Sequence, residues 1–158
     1  MRPNKLNQIV VFLLFPFLSF SQSSPVKALV GGTLIDGFGG TPIQNSVIII
    51  EGERIKAVGH QGNLAIPEGA EVISTEGMSV MPGLWDMHVH LMINGHSDYA
   101  HWDEKYPDLF ESVIMPSSAN QLLLAGVTSA RDLGAPLEAS INVRDRINKG
   151  EIDGPTMY

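Results

Sequence analysis

The chain contains no cysteine, and this absence limits the chemistry open to it. Disulfide bonds and thiolate metal ligands are excluded, as is an N-terminus lipidated through sulfur. Any metal ion would therefore be held by histidine, carboxylate or water. Basic residues are also few: Lys and Arg total 10 against 17 Asp and Glu, and they are scattered. Because binding to nucleic acid needs clustered basic side chains, we predict no nucleic-acid partner.

The sequence also lacks an apolar run of the roughly 20 residues that a membrane-spanning helix needs. The N-terminal apolar run covers only residues 9–20. Arg2 and Lys5 precede it and the small residue Ser21 follows it, a pattern typical of a secretory signal peptide. We predict a signal peptide over residues 1–21, no stable membrane span, and hence a periplasmic or secreted protein. A retained N-terminal anchor helix is the alternative.

Residues 25–80 have the pattern of a small all-β unit. Short apolar runs alternate with glycine-containing turns, and residues 46–50 and 54–58 flank a Glu-Gly-Glu turn, which predicts a hairpin. The spacing suits a β-sandwich or an incomplete barrel. A segment of about 50 residues makes a marginal core, so we expect it to need strands or a docking surface from elsewhere.

From residue 81 the pattern changes to alternating strands and helices. The predicted strands are residues 84–90, 127–132 and 156–158, and the predicted helices are residues 108–115, 117–125 and 136–149. This β-α-β-α-β order predicts an α/β fold with a parallel sheet. Sites in such domains form at the carboxyl ends of the strands.

The first of these strands ends in two histidines, His88 and His90. Successive side chains of a strand alternate between faces, so Asp86 is predicted to share a face with both imidazoles. The intervening side chains are apolar and are predicted to lie on the opposite face beneath covering helices: Trp85, Met87 and Val89.

Two imidazoles at positions i and i+2 lie about 6.6 Å apart along a strand and can lean towards one cation. Imidazole suits zinc, iron, nickel or copper, so the spacing does not select the metal. The alternative is a histidine pair on an exposed strand without a ligand. Asp86 either fixes the tautomer of an imidazole or holds the strand end.

Two further side chains are candidates for the site. His96 stands in the polar and aromatic loop of residues 91–106, where it lines a substrate pocket, touches a metal or is simply solvated. Asp132 ends the second strand. It either bears on the orientation of a ligand, or forms an ion pair with Arg131, or caps the following turn.

The run Met81–Leu91, MPGLWDMHVHL, resembles the strand-1 signature of the amidohydrolase superfamily. Residues 32–37, the hairpin ending at residue 59 and the run 125–134 agree in order. Together they resemble the branch containing imidazolonepropionase-like proteins and the Xaa-Pro and Xaa-Arg dipeptidases. The resemblance implies a metal-dependent hydrolase of carbon–nitrogen bonds, acting on an amide, cyclic amide or dipeptide-like small molecule through a metal-activated water.

The resemblance also implies a (β/α)8 TIM barrel, beginning at residues 81–158, and a composite β-sandwich to which residues 25–80 contribute. His88 and His90 match the two strand-1 ligands of the more buried metal, with one or two divalent ions, most simply zinc, in the complete enzyme. A carboxylated Lys or a Glu, two further His and a catalytic Asp are expected from later strands, so no catalytic residue is assigned within this chain. Thr156 departs from the Arg that relatives often carry.

Because a full barrel needs about 200–250 residues, we expect the chain to be an N-terminal portion without turnover of its own. Two rival hypotheses are an exported module that captures metal through the histidines, and a fragment without function. A homo-oligomer of the full-length protein stays open.

Overall fold

The computed structural model describes residues 25–93 and 98–158. In chain order the strands are β1 (Val26–Val30), β2 (Thr33–Leu34), β3 (Ser46–Glu51), β4 (Arg54–His60), β5 (Glu71–Ser74), β6 (Ser79–Val80), β7 (Leu84–Val89), β8 (Val127–Asp132) and β9 (Thr156–Met157). The α-helices are α1 (Tyr99–Lys105), α2 (Met115–Leu124) and α3 (Leu137–Asn148). The predicted α/β class is confirmed, whereas the predicted signal peptide over residues 1–21 lies outside the described residues.

The chain divides into two compact units. The first comprises the described residues up to Gly32 together with Ile43–Met78, and the second comprises Thr33–Pro42 and Ser79–Tyr158. The short segment Thr33–Pro42 groups with the second unit because β2 pairs with β6 in a parallel ladder.

The first unit is a four-stranded sheet in the order β4-β3-β1-β5. β3 and β4 form the predicted antiparallel hairpin, which turns through Gly52 at a φ of 59°, a conformation that costs glycine little. β1 runs antiparallel to β3 and parallel to β5. A small core lies on one face, formed by Ala28, Val30, Val47 and Ile49. The described part of this unit holds one sheet, so the sandwich stays a prediction.

The second unit contains a parallel sheet in the chain order β7-β8-β9. α2 lies between β7 and β8 in the chain, and α3 lies between β8 and β9, which confirms the predicted β-α-β-α-β order. Helices and sheet share one core, in which Met115, Ala119 and Val143 have no exposed surface. None of the helices in the described ranges is long and apolar enough to cross a membrane.

A widened turn precedes Pro116 in the helical segment between β7 and β8. Residues Phe110–Ile114 form a π-helical turn, and the backbone N–H of Met115 donates to the carbonyl of Phe110, five residues back. Proline has no N–H and its ring crowds the preceding turn, which a π turn relieves by opening the helix locally. The predicted helices on either side of Pro116 are therefore joined without a break. An additional helix, α1, occupies part of the segment predicted as a loop.

Candidate metal centre

The register between β7 and β8 shifts between Asp86 and Val89. Asp86 pairs with Ala130 and Val89 pairs with Asp132, so three steps along β7 match two steps along β8. The alternation of side chains between the two faces of β7 is interrupted here. Asp86 and Val89 are three residues apart, yet both pair with β8 residues on the face that the helices cover. The prediction that Asp86 shares a face with both histidines is therefore wrong, because an extra residue is inserted between them.

The same irregularity changes the surroundings of the apolar side chains of β7. Val89 is buried beneath the helices as predicted, with 8% of its surface exposed. Trp85 and Met87 are 60% and 51% exposed, so their predicted burial is wrong. Trp85 pairs with Ser129 and its ring stacks on Tyr158, with 5.5 Å between ring centroids.

The rings of His88 and His90 meet at the end of β7. Their Nε2 atoms lie 3.1 Å apart, and the ring centroids are separated by 5.1 Å. Two nitrogens at this separation can each lie about 2.0–2.1 Å from one zinc-sized cation, at an N–metal–N angle of about 100°. The donor pair therefore fits a shared divalent metal. The described residues contain no group of three or more His, Asp or Glu side chains suited to a metal.

The Nδ1–Cε1 edge of the His90 ring is closed by the backbone of Gly134, in the loop after β8. A Cβ built on Gly134 would overlap Nδ1 and Cε1 of the ring. Nδ1 itself is buried and has no hydrogen-bond partner within the described ranges. The ring is thus fixed on this side by packing, and its Nε2 is the nitrogen that faces His88.

Asp86 contacts the backbone of the pair. Its Oδ1 accepts a hydrogen bond from the backbone N–H of His88 at 3.0 Å. Of the two roles considered from the sequence, the geometry corresponds to holding the strand end. Arg131 acts on the same irregular segment, because its Nε donates to the carbonyl of Met87 at 3.3 Å.

Asp132 organises the loop that carries Gly134. Its Oδ1 accepts from the backbone N–H of Gly134 at 3.2 Å, and its Oδ2 accepts from the hydroxyl of Ser140 in α3 at 3.3 Å. Among the described residues Asp132 forms no ion pair with Arg131. Of the roles weighed from the sequence, capping of the turn is the one that the geometry displays.

The other histidines belong to other parts of the chain. His96 lies outside the described residues. His101 is exposed on α1 and meets the ring of Tyr106 edge-on, at 6.3 Å between centroids. His60 is exposed at the end of β4 in the first unit. The structure thus brings together His88 and His90 alone among the described histidines.

Sequence reasoning missed two contacts around the site. The indole Nε1 of Trp102 donates to the carbonyl of Met92 at 2.7 Å, which ties α1 to the segment after β7. The second contact is the packing of the Gly134 backbone against the ring of His90. A glycine two residues beyond the end of a strand is typical of a place where the backbone approaches another group closely. The sequence alone does not indicate that this group is the ring of His90.

Comparison with known proteins places these features in a family, although no protein-family model matches the chain. Ochratoxinase from Aspergillus niger is 29% identical over 151 residues, which cover 89% of this chain and 29% of ochratoxinase. A dihydroorotase from Pelotomaculum thermopropionicum is 41% identical over 67 residues, which cover 42% of this chain and 15% of that protein.

Solved structures agree with the sequence comparisons. Molinate hydrolase superposes with a TM-score of 0.74 at 29% identity, covering 86% of this chain and 30% of its own. A Xaa-Pro dipeptidase with methionine bound in its active site gives a TM-score of 0.74 at 26% identity, covering 84% and 32%. The chain belongs to the amidohydrolase superfamily. It spans about 30% of the length of the first of these relatives.

Proposed function

We propose that the protein containing this chain is a metal-dependent hydrolase of carbon–nitrogen bonds in amide, cyclic amide or dipeptide-like substrates. Membership of the superfamily supports the class of reaction, and the names of the similar proteins support the class of bond. The observation that carries the proposal is the 3.1 Å separation of the Nε2 atoms of His88 and His90 at the end of a parallel strand.

His88 and His90 would hold a divalent metal, and zinc suits two imidazole donors. Such an ion, when bound, supplies Lewis acidity and an activated water for attack on the scissile carbonyl. The two Nε2 atoms lie 3.1 Å apart, while Asp86 accepts a hydrogen bond from the backbone N–H of His88. The remaining metal donors and the group that shuttles the substrate proton are proposed to come from parts of the protein other than residues 1–158.

The proposal also covers the fold of the whole protein and its cellular location. β7, β8 and β9 would be the first strands of a (β/α)8 barrel, because they are consecutive, parallel and joined by helices. The four-stranded sheet of the first unit would contribute to a composite sandwich. Export to the periplasm or the medium rests on the signal-peptide pattern of residues 1–21, and self-association of the full-length protein remains a separate question.

Metal content tests the proposal most directly. The full-length protein, its H88A/H90A double variant and an H60A control would be purified, and bound metal measured by mass spectrometry. We expect one or two ions per chain in the wild type and in H60A, because His60 is an exposed side chain of the other unit. The double variant is expected to lose at least one ion. Unchanged metal content in that variant would contradict the proposal.

Hydrolysis is tested in parallel with N-acyl amino acids, Xaa-Pro dipeptides and cyclic amides as probes. Metal-dependent cleavage of at least one class, abolished in H88A/H90A and retained in H60A, is expected. Metal bound by the histidines without cleavage of any probe class would instead favour the metal-binding module considered from the sequence.

A further inference from the structure

The backbone of Gly134, in the loop that follows β8, lies close to the edge of the His90 imidazole that carries Nδ1 and Cε1. No Cβ is compatible with this contact, because one would overlap Nδ1 and Cε1 of the ring. Gly134 is not among the glycines with positive φ, so its backbone conformation is open to alanine. At Gly126, the residue just before β8, the requirement for glycine has the opposite origin: its φ of 86° is a backbone conformation that alanine rarely adopts. The requirement for glycine at position 134 is therefore steric, and the three atoms nearest to the Cβ position all belong to His90.

Three hydrogen bonds hold this loop in place, one of them to β7. The backbone N–H of Leu133 donates to the carbonyl of Val89 at 3.0 Å, directly beside His90. The carboxylate of Asp132 accepts from the backbone N–H of Gly134 at 3.2 Å and from the hydroxyl of Ser140 at 3.3 Å. The loop is thus tied to β7 and to α3, and it cannot yield to the ring without losing hydrogen bonds.

Metal-binding histidines are usually oriented by a hydrogen bond from the ring nitrogen that does not bind the metal. His90 departs from this rule within the described residues, because its Nδ1 is buried without a partner. Packing by Gly134 replaces that hydrogen bond on the Nδ1 side of the ring. The rotation that it imposes is the one that leaves Nε2 of His90 3.1 Å from Nε2 of His88.

We propose that Gly134 is a positioning residue, whose bare Cα sets the rotation of the His90 ring and so the affinity of the histidine pair for a divalent cation. The inference rests on the proposed function, since it assigns a role to Gly134 only if His88 and His90 bind metal. In G134A the added methyl group turns the ring or displaces the loop. In both cases the two Nε2 atoms no longer converge.

A double-mutant cycle tests the contact without metal. The melting temperatures of the full-length protein, G134A, H90A and H90A/G134A would be measured in the presence of a chelator. We expect G134A to lower the melting temperature by about 3 °C or more in the wild-type background, because overpacking is destabilising. The same substitution should have no effect in the H90A background, where the ring is absent. Equal losses in both backgrounds would overturn the inference.

If G134A does not fold, the double variant decides the outcome. Recovery of folding in H90A/G134A would support the contact, because removing the ring makes room for the methyl group. A double variant that remains unfolded would overturn it, since the cost of the methyl group would then lie elsewhere.

Metal affinity tests the role of the contact. The dissociation constant for Zn²⁺ would be measured by competition with a chromophoric chelator, and the visible spectrum of the Co²⁺-substituted protein would report the geometry of the ligands. We expect G134A to bind Zn²⁺ at least tenfold more weakly, within the roughly 10–100-fold range typical of residues that support metal ligands. The Co²⁺ spectrum should change as well. G40A is the matched control, because Gly40 has open space around it and ordinary φ, and it should bind within about twofold of wild type.

The two experiments separate failure of this inference from failure of the proposed function. Tight binding by the wild type with equal affinity in G134A and G40A would overturn the role of Gly134 and leave the hydrolase proposal intact. Absence of metal binding by the wild type would overturn both, even where the double-mutant cycle detects the contact.

Discussion

Asp86 and His88 are joined by a hydrogen bond from the backbone N–H of His88 to Oδ1 of Asp86, at 3.0 Å. The bond spans the point at which β7 carries an extra residue relative to β8. A β-bulge leaves backbone groups without ladder partners, and the carboxylate satisfies one of them. Asp86 therefore stabilises the local backbone from which both imidazoles project.

Replacing Asp86 tests this role by the contrast between two variants. D86A removes the acceptor and should lower the free energy of unfolding by about 1–3 kcal/mol, because a hydrogen bond is lost at a bulge. D86N keeps an acceptor oxygen in the same place and should lose clearly less. Urea unfolding measures both, and Zn²⁺ affinity should fall in the same order. Equal damage from the two variants would show that the charge, rather than the acceptor, is what matters.

Met115 fills the core between the helices and the parallel sheet. It has no exposed surface, so M115A should cost about 2–5 kcal/mol of unfolding free energy through lost burial and a residual cavity. Met78 is 61% exposed, and M78A should remain within about 0.5 kcal/mol of wild type. Denaturant unfolding of the two variants gives the comparison. A similar cost for both would contradict the location of the core.

Gly83 lies beside β8 just before β7 begins. A Cβ at this position would overlap the side chain of Thr128, which is β-branched and has little freedom to move. G83A should therefore destabilise the protein by about 1–3 kcal/mol. Adding T128A removes the two outer atoms of the overlap and should restore part of the loss. No recovery in the double variant would argue against the close approach of the two chain segments.

Residues 25–158 by themselves should show no metal-dependent hydrolysis. The proposed function takes the remaining metal donors from outside residues 1–158, and the described residues supply two imidazoles and no group of three donors. The measurement is turnover of the same probe substrates with added Zn²⁺, with H88A as the control. Turnover that depends on both metal and His88 would overturn this expectation.

Much of the fold was accessible from the sequence because the relevant signals are local. The β3–β4 hairpin follows from two apolar runs around a glycine turn, and the β-α-β-α-β order follows from the change of period after residue 81. Those signals need only neighbouring residues. The convergence of His88 and His90 was likewise predicted from their spacing, and the geometry fits it without testing metal binding.

The remainder depends on contacts that spacing does not encode. Alternation predicted Trp85 and Met87 beneath the helices, and the prediction failed because the register between β7 and β8 shifts near them. The contact of Gly134 with His90 joins residues far apart in the chain. Helix α1 was predicted as loop, although Asp98 caps it by accepting from the backbone N–H of His101.

The parallel order β7-β8-β9 has a consequence for whatever lies beside β7. Among the described strands, β7 is hydrogen-bonded only to β8, so its other edge presents unused backbone donors and acceptors. A strand that adds there in parallel would end level with His90, since parallel strands share one carboxyl end. The residue closing such a strand would arrive next to the imidazole pair, which makes this free edge the natural entry point for a third metal donor.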